Sequence, residues 1–486
     1  MKFESVWKGE KRNYPALDGD AERDIVVIGG GIAGYLTAYK LAEAGLFVTL
    51  IEADELFGGT TGKTTAKITY NQGGIYYDLY FNYNGLKIPQ SYYKAQIEGM
   101  RGFKDLKDKL CIECDWAETN GYIFSRNSET RLKRTFSVMT DIGAECEWES
   151  ALDRFDAIAV IKSKRQYLFD PLKFLCALPV RFEIFEHTRA LDIDVSSKTV
   201  LTDKGKIKAK NIVVATHFPI INSHGAYFLK LRQSTSYTVA VNKRLTGEMF
   251  LEEKADGISV RPYAGGTLFG GGDHRTGRIK DLGHFLNLKE NAEKLYGADT
   301  VTNCWSAEDV MTFDGMPMAG LYAKGTDGVY VVTGFNKWGM ANSMTCANLI
   351  RDLILGKENE FAELFSPQRK VRGSMGAFVS NALTNVKEIT MGYFRLTTKT
   401  EADVARGTGA VVKYNGKKRA VYRDEKDNLH IIGSMCPHMH GELKWNADTH
   451  TWDCPCHGSR FDIHGNILSE PSAKSCKYEQ TKGKTQ

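Results

Sequence analysis

Two short boxes toward the C-terminal end, Cys436-Pro-His438 and Cys454-Pro-Cys456-His457, lie fifteen residues apart and offer two thiols and two imidazoles to one centre. Two chemistries use such a set. Thiolates on one iron and imidazoles on the other hold a [2Fe–2S] cluster that carries single electrons. The same four groups around zinc would close a tetrahedral site with structural work only. The candidate ligands are therefore Cys436, His438, Cys454 and His457. The segment before them predicts a small antiparallel β fold. Val411-Val-Lys-Tyr414 and Ala420-Val-Tyr422 flank Asn415-Gly416, a strong hairpin turn signal.

A second constellation stands near the other end. Asp24-Ile-Val-Val-Ile reads as a strand, Gly29-Gly-Gly31-Ile32-Ala33-Gly34 as a glycine turn opening a helix, and Phe47-Val-Thr-Leu-Ile as a second strand. Glu52 follows the last glycine by eighteen residues. Gly29 makes the tight turn, Gly31 lets the backbone approach a pyrophosphate, Gly34 allows close helix packing, and Glu52, next to Ala53, can bind ribose hydroxyls. The glycine-rich run Gly58-Gly-Thr60-Thr61-Gly62-Lys63-Thr64-Thr65 lacks the first glycine of an ATPase phosphate loop, having Phe57 there, so its threonines are expected to face the dinucleotide instead. Lys210-Asn-Ile-Val-Val-Ala215-Thr216 predicts a strand returning to the nucleotide. Gly328 to Thr333 predicts another, followed by the loop Gly334-Phe-Asn-Lys337-Trp338 and a helix from Gly339 and Met340 to Gly356, its positive end aimed at what the loop holds.

The run Cys454-Pro-Cys-His-Gly-Ser459 resembles the second box of Rieske iron–sulfur proteins residue for residue, which implies a cluster and not zinc. The chain departs from the high-potential respiratory members twice: Gly441 stands where they carry the disulfide partner of the middle cysteine, and Phe461 where they carry a tyrosine that bonds to a ligand sulfur. Ser459 is retained. Fewer hydrogen bonds to sulfur imply a potential toward the lower part of the roughly −150 to +300 mV Rieske range.

Residues 22–356, including Asp314-Gly-Met-Pro317-Met-Ala-Gly320, resemble FAD-dependent oxidoreductases of the D-amino-acid oxidase class, which include glycine and sarcosine oxidases. The whole arrangement is similar to bacterial FAD–Rieske fusion proteins, whose shared segments stand here as Gly59 to Thr69, Ala215 to Pro219, Trp305-Ser-Ala-Glu-Asp309 and Tyr422-Arg-Asp-Glu425. The resemblance implies FAD and a [2Fe–2S] cluster. It implies a noncovalent flavin, because Cys304 is one place out of register with the cysteine some relatives link to it. It also places Gly270 where sarcosine oxidase-like proteins carry an oxygen-activating lysine, so an external one-electron acceptor is expected.

The expected fold is an α/β Rossmann-like FAD domain over 1–356 with α+β substrate segments inserted at about 76–180 and 220–310, a connection over 357–403, and an all-β Rieske domain over 404–486. The absence of a long apolar run or an apolar leader predicts a soluble cytoplasmic chain with no membrane span. Ten cysteines without regular spacing suit a reducing compartment, and Cys111-Ile-Glu-Cys114 is read as ordinary thiols. A net charge of +5 without an aromatic-interleaved basic stripe excludes nucleic acid. The basic cluster Arg369-Lys-Val-Arg372 and the tail lysines from Lys474 are read as solvated, with guidance of an acidic redox partner as the alternative.

The expected function is a dehydrogenase acting on a CH–NH or CH–NH₂ group of an amine or amino acid, with electrons passing from flavin to cluster and on to an external acceptor. Substrate contact is assigned to His274, Arg261, Tyr263 and Lys337. Two rivals remain: a reductase fed in reverse by a ferredoxin-like donor, and a redox sensor without catalysis. Gly270-Gly-Gly-Asp273-His274-Arg275 lacks the third glycine of a second dinucleotide fingerprint, which argues against an NAD(P)H-driven enzyme. The 29 residues after His457 leave no room for the mononuclear iron site of a Rieske oxygenase.

Overall fold

The computed structural model describes residues 2–479 apart from Lys11, 222–223, Ala255, 280–281, 298–299 and most of 371–396. Arg372 and the lysines beyond Glu479 lie outside the described residues.

The run Ile25-Val-Val-Ile28 is buried on both faces, as a central parallel strand must be. It sits in a parallel sheet ordered Val329–Thr333, Lys206–Val214, Ala21–Ile28, Val48–Ile51 and Glu183–Phe185, with antiparallel Met318–Leu321 outside the first of these. An antiparallel ribbon, Ala190–Asp194 and Thr199–Thr202, extends the start of Lys206–Val214. Register makes the site: Ile28 lies opposite both Ile51 and Val214. The three strands therefore end level, and Gly29, Glu52 and Ala215 meet at one crevice. Helices Ile32–Glu43 and Gly339–Ile354 both start at that edge and pack against each other. Gly34 permits this: a Cβ there would stand 1.9 Å from the Gly29 carbonyl oxygen.

A second, nine-stranded sheet draws its strands from Lys67–Ile68, Ala117–Ser125, Cys146–Glu149, Ala159–Leu168, Arg232–Val241, Met249–Glu252, Ser259–Tyr263, Gly266–Arg275 and Val301–Met311. Alternation gives it two faces. Ala240, Leu268 and Trp305 face the nucleotide domain, while Tyr237, Val239, Phe269 and Cys304 face helix His284–Tyr296.

Residues 404–479 form two four-stranded antiparallel sheets. Asn415 and Gly416 take φ of 48° and 77° between strands Thr408–Tyr414 and Lys417–Arg423, the turn that their sequence predicts. This domain is docked on the rest. Arg460 bonds across to Glu308 and to Ser306 at 3.3 Å, Asp448 to His284 at 2.6 Å, and Gln233 to the Glu470 carbonyl at 2.5 Å. Among the described residues no helix is long and apolar enough to cross a membrane.

One expectation is corrected. Arg369 is not solvated: its guanidinium takes the buried Asp314 carboxylate at 2.7 and 2.8 Å and the carbonyls of Met316 and Pro317. A buried cation needs such a full set of acceptors. Arg369 therefore anchors the start of the connection to the Asp314–Gly320 segment.

Candidate functional site

The level strand ends open into an elongated cavity of about 560 Å³. Of the residues expected to bind the dinucleotide, Gly29, Gly31, Ile32, Ala33, Glu52, Ala53, Thr60, Thr61, Thr64, Ala215, Thr216, Gly334, Gly339 and Met340 line it. Gly34, Thr65 and Trp338 do not. Gly34 packs the helix, the Thr65 carbonyl holds Arg261, and the Trp338 carbonyl accepts from Asn342 at 2.9 Å.

The lining suits an adenine dinucleotide. Helix Ile32–Glu43 begins at Gly31, which offers no side-chain cap; Thr61 Oγ1 accepts from the Ile32 amide at 2.8 Å, and the rest of the positive end suits a pyrophosphate. A Cβ at Gly31 would stand only 3.3 Å from Thr61 Oγ1. Glu52 accepts from the Gly30 and Asp54 amides at 2.6 and 3.0 Å, which fixes its carboxylate at the ribose end. At the far end Asn336 and Lys337 hold φ of 50° and 74°, a strained pair locked by Asn336 bonding to Thr312 and Gly334. The C-terminal domain supplies part of the wall: Ile467, Leu468, Glu470, Ser472 and Ala473 line the same cavity. Burial, and the nearby Glu52 carboxylate, push Glu470 up to about 7.

The four residues assigned to substrate contact do not converge. Lys337 alone lines the cavity, its Nζ 2.7 Å from Asp273 Oδ1 in an ion pair not aligned as a hydrogen bond. Arg261 is buried beneath it, donating to the carbonyls of Pro262, Thr65 and Ala66 at 2.7, 2.8 and 2.5 Å; its role is to hold the Thr65–Ala66 backbone. Tyr263 packs edge-on against Trp7 at 5.9 Å. His274 points away toward the docked domain, bonded to Tyr237 Oη at 3.0 Å and next to His284. The strand explains the split, because consecutive residues alternate faces and Asp273 and His274 cannot share one.

Sequence reasoning missed three groups around Lys337. Asp309 lines the cavity, and burial pushes it up to about 6 against the pull of Lys337. Asp273 is the partner of Lys337. Lys67 extends from the short strand Lys67–Ile68 to bond Ser259 Oγ, and burial followed by the nearby Arg261 pushes its ammonium down to about 7. Lys67 and Asp309 both stand in segments singled out above, and that was the available signal. Gly270, opposite Ser259 in the ladder, borders the same face. Cys304 lies in the core beyond the sheet and does not line the cavity.

In the C-terminal domain the two boxes come together in one buried cluster. Cys436 and Cys454 are 0% and 2% exposed, and the rings of His438 and His457 stand 4.9 Å apart and nearly perpendicular. Cys454 is held well below the ordinary thiol range, first by a hydrogen bond from Cys436 and next by one from Cys456. Burial pushes His457 down to about 3. A thiolate beside neutral imidazoles is the donor set that iron requires. Among the described residues no three His, Cys, Asp or Glu side chains surround one point. A two-iron centre needs only two protein ligands per iron, the bridging sulfides completing each. Gly441 faces the free Cys456, with an added Cβ only 2.5 Å from its Sγ. Phe461 is buried in the same cluster.

The model of the FAD dependent oxidoreductase family matches residues 24–353, and that of the Rieske [2Fe-2S] domain residues 395–480. Over 98% of its length the chain is 32% identical to 97% of YhfW from Bacillus subtilis (strain 168), a protein that carries the name Rieske 2Fe-2S iron-sulfur protein. Among solved structures, glycine oxidase from Geobacillus kaustophilus superposes with a TM-score of 0.60 at 18% identity, covering 72% of this chain and 99% of that one. L-proline dehydrogenase from P. horikoshii gives 0.58 at 19%, covering 72% and 98%. These two show the fold. With its residues fitting both groups, the chain belongs to the FAD dependent oxidoreductase family, binds FAD, and carries a C-terminal Rieske domain that binds a [2Fe–2S] cluster.

Proposed function

We propose that the protein is a cytoplasmic amino-acid or amine dehydrogenase that oxidises a CH–NH or CH–NH₂ group and sends the electrons through its cluster to an external one-electron acceptor. Bound FAD supplies hydride acceptance, and the cluster supplies one-electron transfer. The observation that carries the substrate class is a charged array: Asp309 and Lys337 line the cavity near Met340, Asp273 pairs with Lys337, and Lys67 lies behind them within reach of the Asp273 charge.

Asp273 is matched by Lys337, which leaves Asp309 to hold a substrate ammonium. Lys67 has a serine and no carboxylate in contact among the described residues, so a substrate carboxylate would supply its missing counter-charge. An acid and a base so placed fit an amino-acid zwitterion and orient its α-carbon. Glycine oxidase and L-proline dehydrogenase, which share the fold, act by name on such molecules. None of the ten cysteines stands in a disulfide, which supports a reducing compartment.

The test is an anaerobic titration of cluster-loaded protein with amino acids and with primary and secondary amines, followed by absorbance and low-temperature EPR. Flavin bleaching together with a Rieske signal is the expected result. No change with any of them, when dithionite reduces both centres, would overturn this reading in favour of reverse flow or sensing.

A further inference from the structure

We infer that electrons cross between the two cofactors through a fixed contact of Phe218 with the cluster ligand His457, seated by Phe228. Ala215, Thr216 and His217 line the FAD cavity, and the next residue, Phe218, turns its fully buried ring to His457 at 6.3 Å and 71°. Phe228 meets the same imidazole from another side at 6.2 Å and 82°, and its carbonyl accepts a hydrogen bond from it. The residue that follows the cofactor wall in the chain therefore meets an iron ligand with its side chain. His457 is 1% exposed, enclosed by the flavin domain, whereas His438 is partly exposed.

The ligand loop is not poised on a tether. A Cβ on Gly277 would stand 2.5 Å from Pro455 N, and one on Gly458 would stand 2.5 Å from Gln233 Cβ. Arg275 donates to the Cys456 carbonyl at 2.8 Å. Backbone packed this closely holds His457 against Phe218 without any swing of the domain. Each crossing moves one electron, oxidising one centre and reducing the other by one, and no protein bond forms or breaks. The two electrons of one substrate cross in two passages, with the external acceptor emptying the cluster between them and the protons released to water.

This path rests on the proposed function only in requiring exchange between the centres, and it serves either direction of flow. The experiment uses full-length protein loaded with both cofactors, in which the flavin is reduced by a light pulse and cluster absorbance is followed. Phe218→Leu is expected to slow the crossing on the order of ten- to a hundredfold, the scale at which small displacements act where geometry sets a rate. Phe228→Leu is expected to slow it less and Phe218→Tyr to restore it. FAD content, the EPR spectrum and direct reduction by dithionite should not change, and added glycerol should leave the wild-type rate alone. An unaltered rate in both leucine variants and their double would overturn the path, as would a wild-type rate that falls with viscosity, the mark of a moving domain. If Phe218→Leu loses a cofactor, Phe228→Leu and the viscosity series decide. A wild-type cluster that never receives flavin electrons would instead sink the proposed function.

Discussion

Lys67 and Asp309 set the strictest residue-scale expectation. Both are displaced toward neutrality by burial, Lys67 down to about 7 and Asp309 up to about 6. Binding a zwitterion needs Asp309 ionised and Lys67 protonated. kcat/KM should therefore rise as pH passes about 6 and fall as it passes about 7, a narrow bell that reports the free enzyme. Lys67→Met should remove the alkaline limb and lower kcat/KM by roughly 10- to 100-fold, the worth of a hydrogen bond to a charged group at ~1.5–3 kcal/mol. A stopped-flow pH series on both proteins checks this, and a profile unchanged by the substitution would separate Lys67 from the substrate. Neither residue was among the sequence-based candidates. A lysine and an aspartate become informative only when the fold half-buries them beside a cavity, and burial is a property of the fold.

At the scale of elements, the glycine turn and its helix are the least tolerant part of the molecule. Gly34→Ala would drive a Cβ into the Gly29 carbonyl, backbone that cannot yield without moving the level strand ends. The substitution is expected to cost ~1–3 kcal/mol by overpacking and to empty the FAD site, read as a lowered melting temperature and a loss of bound flavin per chain. A variant that keeps wild-type flavin content would show that the crossing adapts. This element was legible in the sequence because its glycines serve local geometry. The strand Gly266–Arg275 was not. His274 was assigned to substrate from it, yet Asp273 faces Lys337 and His274 faces the Rieske domain. The register shift opposite Thr235 and Tyr237 makes the face of each hard to foresee.

Across the whole molecule, Arg460 joins the two halves. Adjacent to Ser459 of the cluster box, it is 4% exposed and bonded to Asp453 in its own domain and to Glu308 of the flavin domain. Arg460→Met would leave two carboxylates buried without their cation, at a cost of roughly 3–5 kcal/mol. Urea unfolding followed by both chromophores is expected to change from one transition to two, with the Rieske domain released first. A single transition with an unshifted midpoint would mean that other contacts carry the docking. The same docking closes the FAD cavity with Ile467 to Ala473, so released protein should also hold FAD less tightly.

The sequence by itself determined the cofactors and the order of domains. Cluster ligands and dinucleotide glycines act through residue type and short spacing, and both survive in a linear text. Tertiary structure alone decided which charged side chains share the cavity, that Arg369 is an internal anchor, and that His457 is pressed against Phe218. Each of these depends on residues far apart in the chain meeting in space, half-buried at the cavity and buried at Arg369 and His457. There, burial and strand register, which no local pattern records, set the chemistry.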